Sequence, residues 1–251
     1  NTADYITFQN MTIQGTGTTY AWPVYLTNGA NNNTIKKCNI EITSPVNANT
    51  GTFNFLGVVA GGTQSSSPGG SAVNNLTIDS NNINWATHGI YTYGVSNTSG
   101  HQYRANTILN CDNGITASYL RNIIITGNTI KNRNINANTN NGITLNYVTT
   151  TNAFDVCRIS ENKITNVATF GIAVQYSNAL AVGKGLIANN MIGGGFTQST
   201  SRGIYIYNAN YWMVYHNSVN HNTTTTSTNQ SPFYTYNSSN LSVVNNILAR
   251  T

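Results

Sequence analysis

RISENKITNVATFGIAVQYSN, residues 158–178, poses a problem of register. Ile159 and Ile164 read as core positions, yet they lie five apart, and a straight strand would send them to opposite faces. A spacing of five suits one helical face no better. The chain must turn between them, and Asn162 is the residue placed to turn it.

The same pattern, apolar-x-x-Asn-x-apolar, recurs along the chain. It is found at Ile78…Asn81…Ile83, Tyr103…Asn106…Ile108, Ile125…Asn128…Ile130 and Ile159…Asn162…Ile164. It returns at Ile187…Asn190…Ile192, Val214…Asn217…Val219 and Val243…Asn246…Leu248. Two earlier copies carry Cys38 and Met11 in place of asparagine. Successive key positions are 27, 43, 25, 22, 34, 28, 27 and 29 residues apart. Spacings of this size mark a repeat architecture. A second element follows most copies: Gly89-Ile-Tyr-Thr-Tyr, Gly114-Ile-Thr-Ala, Gly142-Ile-Thr-Leu, Gly171-Ile-Ala-Val and Gly203-Ile-Tyr-Ile. These are short alternating strands opened by a punctuating glycine. Their alternation predicts Ile143 and Leu145 inward, with the tyrosines of 91, 93, 205 and 207 outward.

Several short strands per repeat, joined by corners, are accommodated by a coil in which each repeat makes one turn and stacks on the next. Strands then pair in parallel about 4.8 Å apart, and equivalent side chains lie above one another. Asn162 fits such a corner because asparagine tolerates left-handed backbone and its amide both donates and accepts. Asn81, Asn106, Asn128, Asn162, Asn190, Asn217 and Asn246 are thus expected to form a ladder, shorter at the Cys38 and Met11 end. The Ile-x-x-Asn-x-Ile and Gly-Ile-x-x runs resemble the repeats of the right-handed parallel β-helix, the pectate-lyase-like superfamily, including those of large secreted bacterial surface proteins. The likeness covers roughly residues 5–250, with about nine coils. It implies an all-β solenoid of three strands per coil, with the Gly-Ile strand first and the asparagine corner between the second and third. Residues 1–251 are read as a single domain.

The 251 residues are 39% hydrophobic with 15 tyrosines, too apolar for a disordered chain. Only 7% are charged, against roughly 25% in ordinary soluble domains. A surface wetted by amides and hydroxyls points to an extracellular or cell-surface setting. The net charge of +5 is scattered, only Lys36 and Lys37 being adjacent basic residues, which argues against a nucleic-acid partner. No apolar run is long enough for a transmembrane helix. No leader opens the sequence, and strand-like residues run to both ends. The expectation is a segment of a longer repetitive protein, or a subunit that stacks end to end on flanking repeats or on itself.

Enzymes of the resembled superfamily that cut acidic polysaccharides work on the outer face of the first strand, with Asp or Glu as acid–base groups and Lys or Arg against the substrate's charge. Glycoside hydrolysis wants two carboxylates about 5–10 Å apart. Here the six acidic residues, Asp4, Glu41, Asp79, Asp112, Asp155 and Glu161, miss the outward positions of every Gly-Ile strand. Asp79 and Glu161 fall beside corners three coils apart, on the order of 14 Å. His88 and Asp112, which precede Gly-Ile strands on consecutive coils, form with Arg104 the candidate catalytic cluster. No His or Cys spacing matches a metal site, and no cofactor is implied. Cys38, Cys111 and Cys157 fall on non-consecutive coils and read as small buried hydrophobes. For binding, Tyr25, Tyr91, Tyr93, Tyr205, Tyr207, Tyr234 and Tyr236 share one sheet, where aromatic rings can stack on sugars or protein. The leading expectation is a non-catalytic structural or adhesive β-helix contacting glycans or copies of itself. The alternative is a carbohydrate-active enzyme or carbohydrate-binding module whose groove lies near His88 and Asp112.

Overall fold

The computed structural model describes residues 3–43, 53–133, 140–223 and 227–251. The longer stretches between corner and third-sheet strand at 132–141 and 220–231 lie partly outside these residues. In the quoted stretch, Cys157–Ser160 and Lys163–Thr165 are strands and Asn162 stands at the corner between them. The repeated motif builds two parallel sheets of nine strands among the described residues, one on each side of this corner. The first runs from Thr7–Gln9 to Ser242–Val244, the second from Thr12–Gly15 to Ile247–Arg250. A third sheet stacks Val24–Leu26, Leu56–Ala60, His88–Tyr93, Asn113–Ser118, Ile143–Asn146, Phe170–Gln175, Arg202–Tyr207 and Ser231–Tyr236. The result is a parallel β-solenoid.

Register follows the motif. Ile78 lies over Ile35, and Tyr103, Ile125, Ile159, Ile187, Val214 and Val243 continue the column. Beyond the corner Ile83, Ile108, Ile130, Ile164, Ile192 and Val219 do the same. Nearly all of these side chains are fully buried, so a slip of one residue would turn an entire column into solvent. Tyr103 is the polar exception in its column. Its hydroxyl reaches inward to donate to Thr92 Oγ1 at 3.0 Å, where neighbouring coils carry Ala117 and Leu145.

The ladder is present, but the corner works differently from the sequence expectation. The left-handed residue is the one before the ladder position: Ser80, Ala105, Gly127, Glu161, Asn189, His216 and Asn245 precede ladder asparagines and Lys37 precedes Cys38, and all have positive φ, 60° at Glu161. The ladder asparagines themselves do not. Most of these residues have no liking for that region, which costs roughly 1 kcal/mol or more each. What holds the corner is the amide beside it. Asn162 Oδ1 accepts from the Asn128 backbone N–H at 3.0 Å and from Asn128 Nδ2 at 2.9 Å. Its own Nδ2 donates to Ile125 O and to Asn190 Oδ1, each at 3.0 Å. The same bonds repeat from Asn81 to Asn246. At Cys38 the backbone N–H donates to Asn81 Oδ1 at 2.9 Å, and the thiol takes the place of the amide donor, toward Lys36 O at 3.3 Å.

The glycines that open the third-sheet strands are needed for space. None of Gly89, Gly114, Gly142, Gly171 and Gly203 has positive φ. A Cβ on Gly142 would sit 2.4 Å from Ile164 Cγ2 and 2.5 Å from Gly171 O. The third sheet therefore closes directly on the second.

Asn162→Ala leaves the Asn128 N–H and one Asn128 Nδ2 proton without their acceptor and takes a donor from Ile125 O and from Asn190 Oδ1, which keeps the residue-162 N–H, at about 1–3 kcal/mol per stranded group. Urea unfolding is expected to show a loss of about 3 kcal/mol or more. Removing the exposed amide of Asn82 should cost under about 0.5 kcal/mol. The three thiols are buried and unpaired, and burial pushes Cys111 up to about 12 and Cys157 to about 11. Thiolate is the reactive form, so a thiol reagent at pH 8 should label none of the three in the native protein and all three in urea.

Candidate functional site: the outer face of the third sheet

Along the third sheet, alternate residues face away from the core in two columns. One is Tyr25, Val59, Tyr91, Thr116, Thr144, Ala173, Tyr205 and Tyr234. The other includes Tyr93, Ser118, Asn146, Gln175, Tyr207 and Tyr236. The seven tyrosines expected to form a binding face therefore divide into two groups, separated by three coils of small or polar residues. Tyr91 is not available at all. It points outward but is only 4% exposed, packed with Trp22, Leu56, Val59 and the covering Phe53. Tyr25 donates its hydroxyl to Gly62 O, just beyond the strand Leu56–Ala60. Tyr234 lies beneath the Arg202 guanidinium, 4.5 Å from the ring centroid, a cation–π contact.

What joins the two groups was missed in the sequence. Tyr119, Tyr147 and Tyr176 stand at the corner just past the third-sheet strands, each five residues after the glycine of its Gly-Ile run. Tyr93 meets Tyr119 at 4.9 Å, Tyr119 stacks on Tyr147 at 4.7 Å and Tyr147 on Tyr176 at 5.0 Å. Tyr207 meets Tyr176 edge-on at 5.2 Å, and Tyr236 stacks on Tyr207 at 5.7 Å. A column of six rings on six successive coils results, and Tyr119, Tyr147 and Tyr176 are each about two-fifths exposed. The recurrence of tyrosine at Gly+5 was the available signal. All three hold positive φ, where the next two coils place Asn208 and Asn237. Asparagine is at home in that conformation and tyrosine is strained there. Ring stacking, worth about 0.5–1.5 kcal/mol per pair, offsets the strain. A groove of about 270 Å³ flanks Tyr119 and Tyr147, lined also by Asn97, Arg121, Thr149 and Thr151. Arg121 donates to Thr151 Oγ1 at 2.9 Å, and Thr151 in turn donates to Asp155.

The candidate catalytic residues are not assembled. His88 is buried beneath Phe53, whose ring stacks on it at 5.2 Å, and its Nδ1 meets Thr116 Oγ1 at 3.0 Å. Asp112 is engaged by Arg133 in a bidentate buried ion pair, Nη2 to Oδ2 at 2.5 Å. Burial pushes the Asp112 carboxyl up, and the Arg133 charge pulls it back in part. Arg133 was not singled out from the sequence. It directly follows the second-sheet strand Thr129–Asn132 as Asp112 follows Thr107–Cys111, so the register puts one over the other. Arg104 is exposed on a different sheet, in register with Asp79 and Thr126. Asp79 accepts from the adjacent Ser80 hydroxyl at 2.8 Å and so serves its own turn. Among the described residues no three His, Cys, Asp or Glu side chains gather as metal ligands.

Burial lowers both His88 and His101 to about 4 from the ordinary 6.5. Above pH 6.5 both states of the protein keep these rings neutral, so the stability is fully present. As pH falls from 6.5 toward 4 the unfolded chain takes up the protons first, and stability drops by about 1.4 kcal/mol per pH unit per histidine. Asp112, with its raised value, acts in the opposite sense. Urea midpoints of His101→Phe and the parent, measured from pH 7.5 to 4.5, should therefore differ in slope. Parallel curves would remove His101 from the account.

No protein-family model matches the chain, and no curated protein does. Among solved structures it is similar to the surface protein and adhesin PfbA of Streptococcus pneumoniae, with TM-score 0.59 and 14% identity. That match takes in 97% of this chain and 64% of PfbA's, so the chain spans under two-thirds of that protein. A mutant of the periplasmic alginate epimerase AlgG is matched at TM-score 0.44 and 14% identity, over 89% of this chain and 70% of the other. At this identity what the likeness to PfbA shows is the fold alone, a parallel β-helix.

Proposed function

We propose that this chain is a non-catalytic, extracellular or cell-surface adhesive β-helix that contacts glycans along its tyrosine column. The observation that carries the reading is tyrosine held in left-handed backbone at Tyr119, Tyr147 and Tyr176. Strain retained in successive coils where asparagine would sit comfortably points to a use for the side chain. The stacked rings turn edges and hydroxyls outward, already ordered, so little conformational entropy is lost on binding. A surface of amides and hydroxyls around them suits a hydroxyl-rich partner. PfbA, which is similar in fold, is an adhesin. The candidate cluster near His88 and Asp112 supports the enzymatic alternative poorly, because Phe53 covers one member and Arg133 neutralises the other.

The test is retention of the protein on a panel of immobilised neutral and acidic polysaccharides, with soluble products read by mass spectrometry. Binding without cleavage is expected, weakened at least tenfold in a Tyr119→Ala/Tyr147→Ala double variant of unchanged circular dichroism. New oligosaccharides that vanish in Asp112→Asn would instead establish the enzymatic reading.

A further inference from the structure

A second concavity lies beside the same tyrosine column, over the coils that contribute Tyr176, Tyr207 and Tyr236. It is an open groove of about 560 Å³ lined by Asn178, Asn208, Asn210, Asn237, Ser238 and Ser239. We infer that this groove is a subsite for uncharged glycans, holding the chain along the solenoid axis. The inference rests on the glycan-contact reading above and names its ligand class.

The lining contains four amides and two hydroxyls and no ionisable group. Sugar hydroxyls both donate and accept, and a carboxamide does the same. A uronate or sulfate would have to shed water here against no cation. The groove beside Tyr119 differs in holding Arg121.

The amides are preset. Asn210 Nδ2 donates to Asn178 Oδ1 at 2.9 Å, and Asn210 Oδ1 accepts from the Ser239 N–H at 2.7 Å and the Ser239 hydroxyl at 2.8 Å. Asn237 Nδ2 donates to Asn208 Oδ1 at 2.5 Å. Each bond runs from one coil to the next. Both acceptor positions of Asn178 Oδ1 and of Asn210 Oδ1 are taken, by the Asn210 N–H and Nδ2 and by the Ser239 N–H and hydroxyl, so these two amides present N–H donors to a ligand. The Asn178 Nδ2 group donates to nothing among the described residues. These groups recur about every 4.8 Å, the strand spacing, which is close to the length of one sugar residue in an extended chain.

The aromatic column also changes at this point. Below, Tyr147 and Tyr176 lie within 9° of parallel; above, Tyr207 and Tyr236 lie within 13°. Between Tyr176 and Tyr207 the angle is 90°. A parallel contact covers a face of both rings, whereas a perpendicular one covers a face of one only. The face-to-face stack is thereby interrupted on the coils that carry the groove, where Tyr207 also lies against Tyr205, 5.8 Å away and 22° from parallel.

Hydrogen–deuterium exchange is measured on the whole chain with soluble starch, laminarin or galactomannan oligosaccharides, and with polygalacturonate oligosaccharides. Protection of 176–178, 207–210 and 236–239 by a neutral sugar is expected, with no effect of polygalacturonate there. An Asn178→Asp/Asn210→Asp variant adds like charge while keeping shape, and should weaken the neutral sugar at least tenfold. Asn178→Ala/Ser239→Ala, which tests the groove without added charge, should weaken it several-fold, and Asn82→Ala, exposed on the second sheet, should leave this footprint in place. Neutral sugar bound with protection confined to Tyr119 and Tyr147 overturns the groove and leaves the glycan reading standing. The absence of binding by any glycan overturns both.

Discussion

The structure depends on one constraint: parallel strands repeat about every 4.8 Å, so whatever one coil buries must be satisfied by its copy above and below. An asparagine buried at a corner has two N–H donors and a carbonyl to pair, and stranding any of them in the core is costly. Stacked on itself it satisfies nearly all of them, and Asn128, Asn162 and Asn190 are each about 1% exposed. The ladder thereby ties neighbouring coils together in a single register. Its bonds also support the left-handed residue that precedes each asparagine, so that position can be Ser, Ala, Glu or His.

The same repetition shapes the surface. Placing like over like produces columns of tyrosine and of amide on the outside, as it produces columns of isoleucine within. Catalysis instead requires unlike groups to converge. In this solenoid they meet only where adjacent coils differ at one register position, as at Asp112 and Arg133, and that pair is buried and mutually neutralised. The small-residue coils bearing Thr116, Thr144 and Ala173 separate the two outer groups of tyrosines, and only the corner column of Tyr119, Tyr147 and Tyr176 bridges them.

Much of the fold was legible in the sequence because its information is periodic. The pairing of Ile159 with Ile187 and of Ile164 with Ile192 follows from the spacing of the motif, as does the line of ladder asparagines. The site was less legible. Tyr91 has the alternation of a surface residue, and the packing of Phe53 and Trp22 from the two preceding coils buries it. Tyr119, Tyr147 and Tyr176 fall after the alternating run, at a corner where alternation says nothing about direction.

By itself the sequence determined that this chain is a coil of short parallel strands with an asparagine at one corner, because hydrophobic period and repeat length are local quantities. It also settled that carboxylates are scarce and scattered. Only the tertiary structure decided which backbone position makes the turn, which tyrosines are covered and which join into one column. The physical reason is that those outcomes depend on contacts between residues more than twenty positions apart. Their proximity is created by the winding of the coil, which brings one repeat onto the next at a single strand spacing.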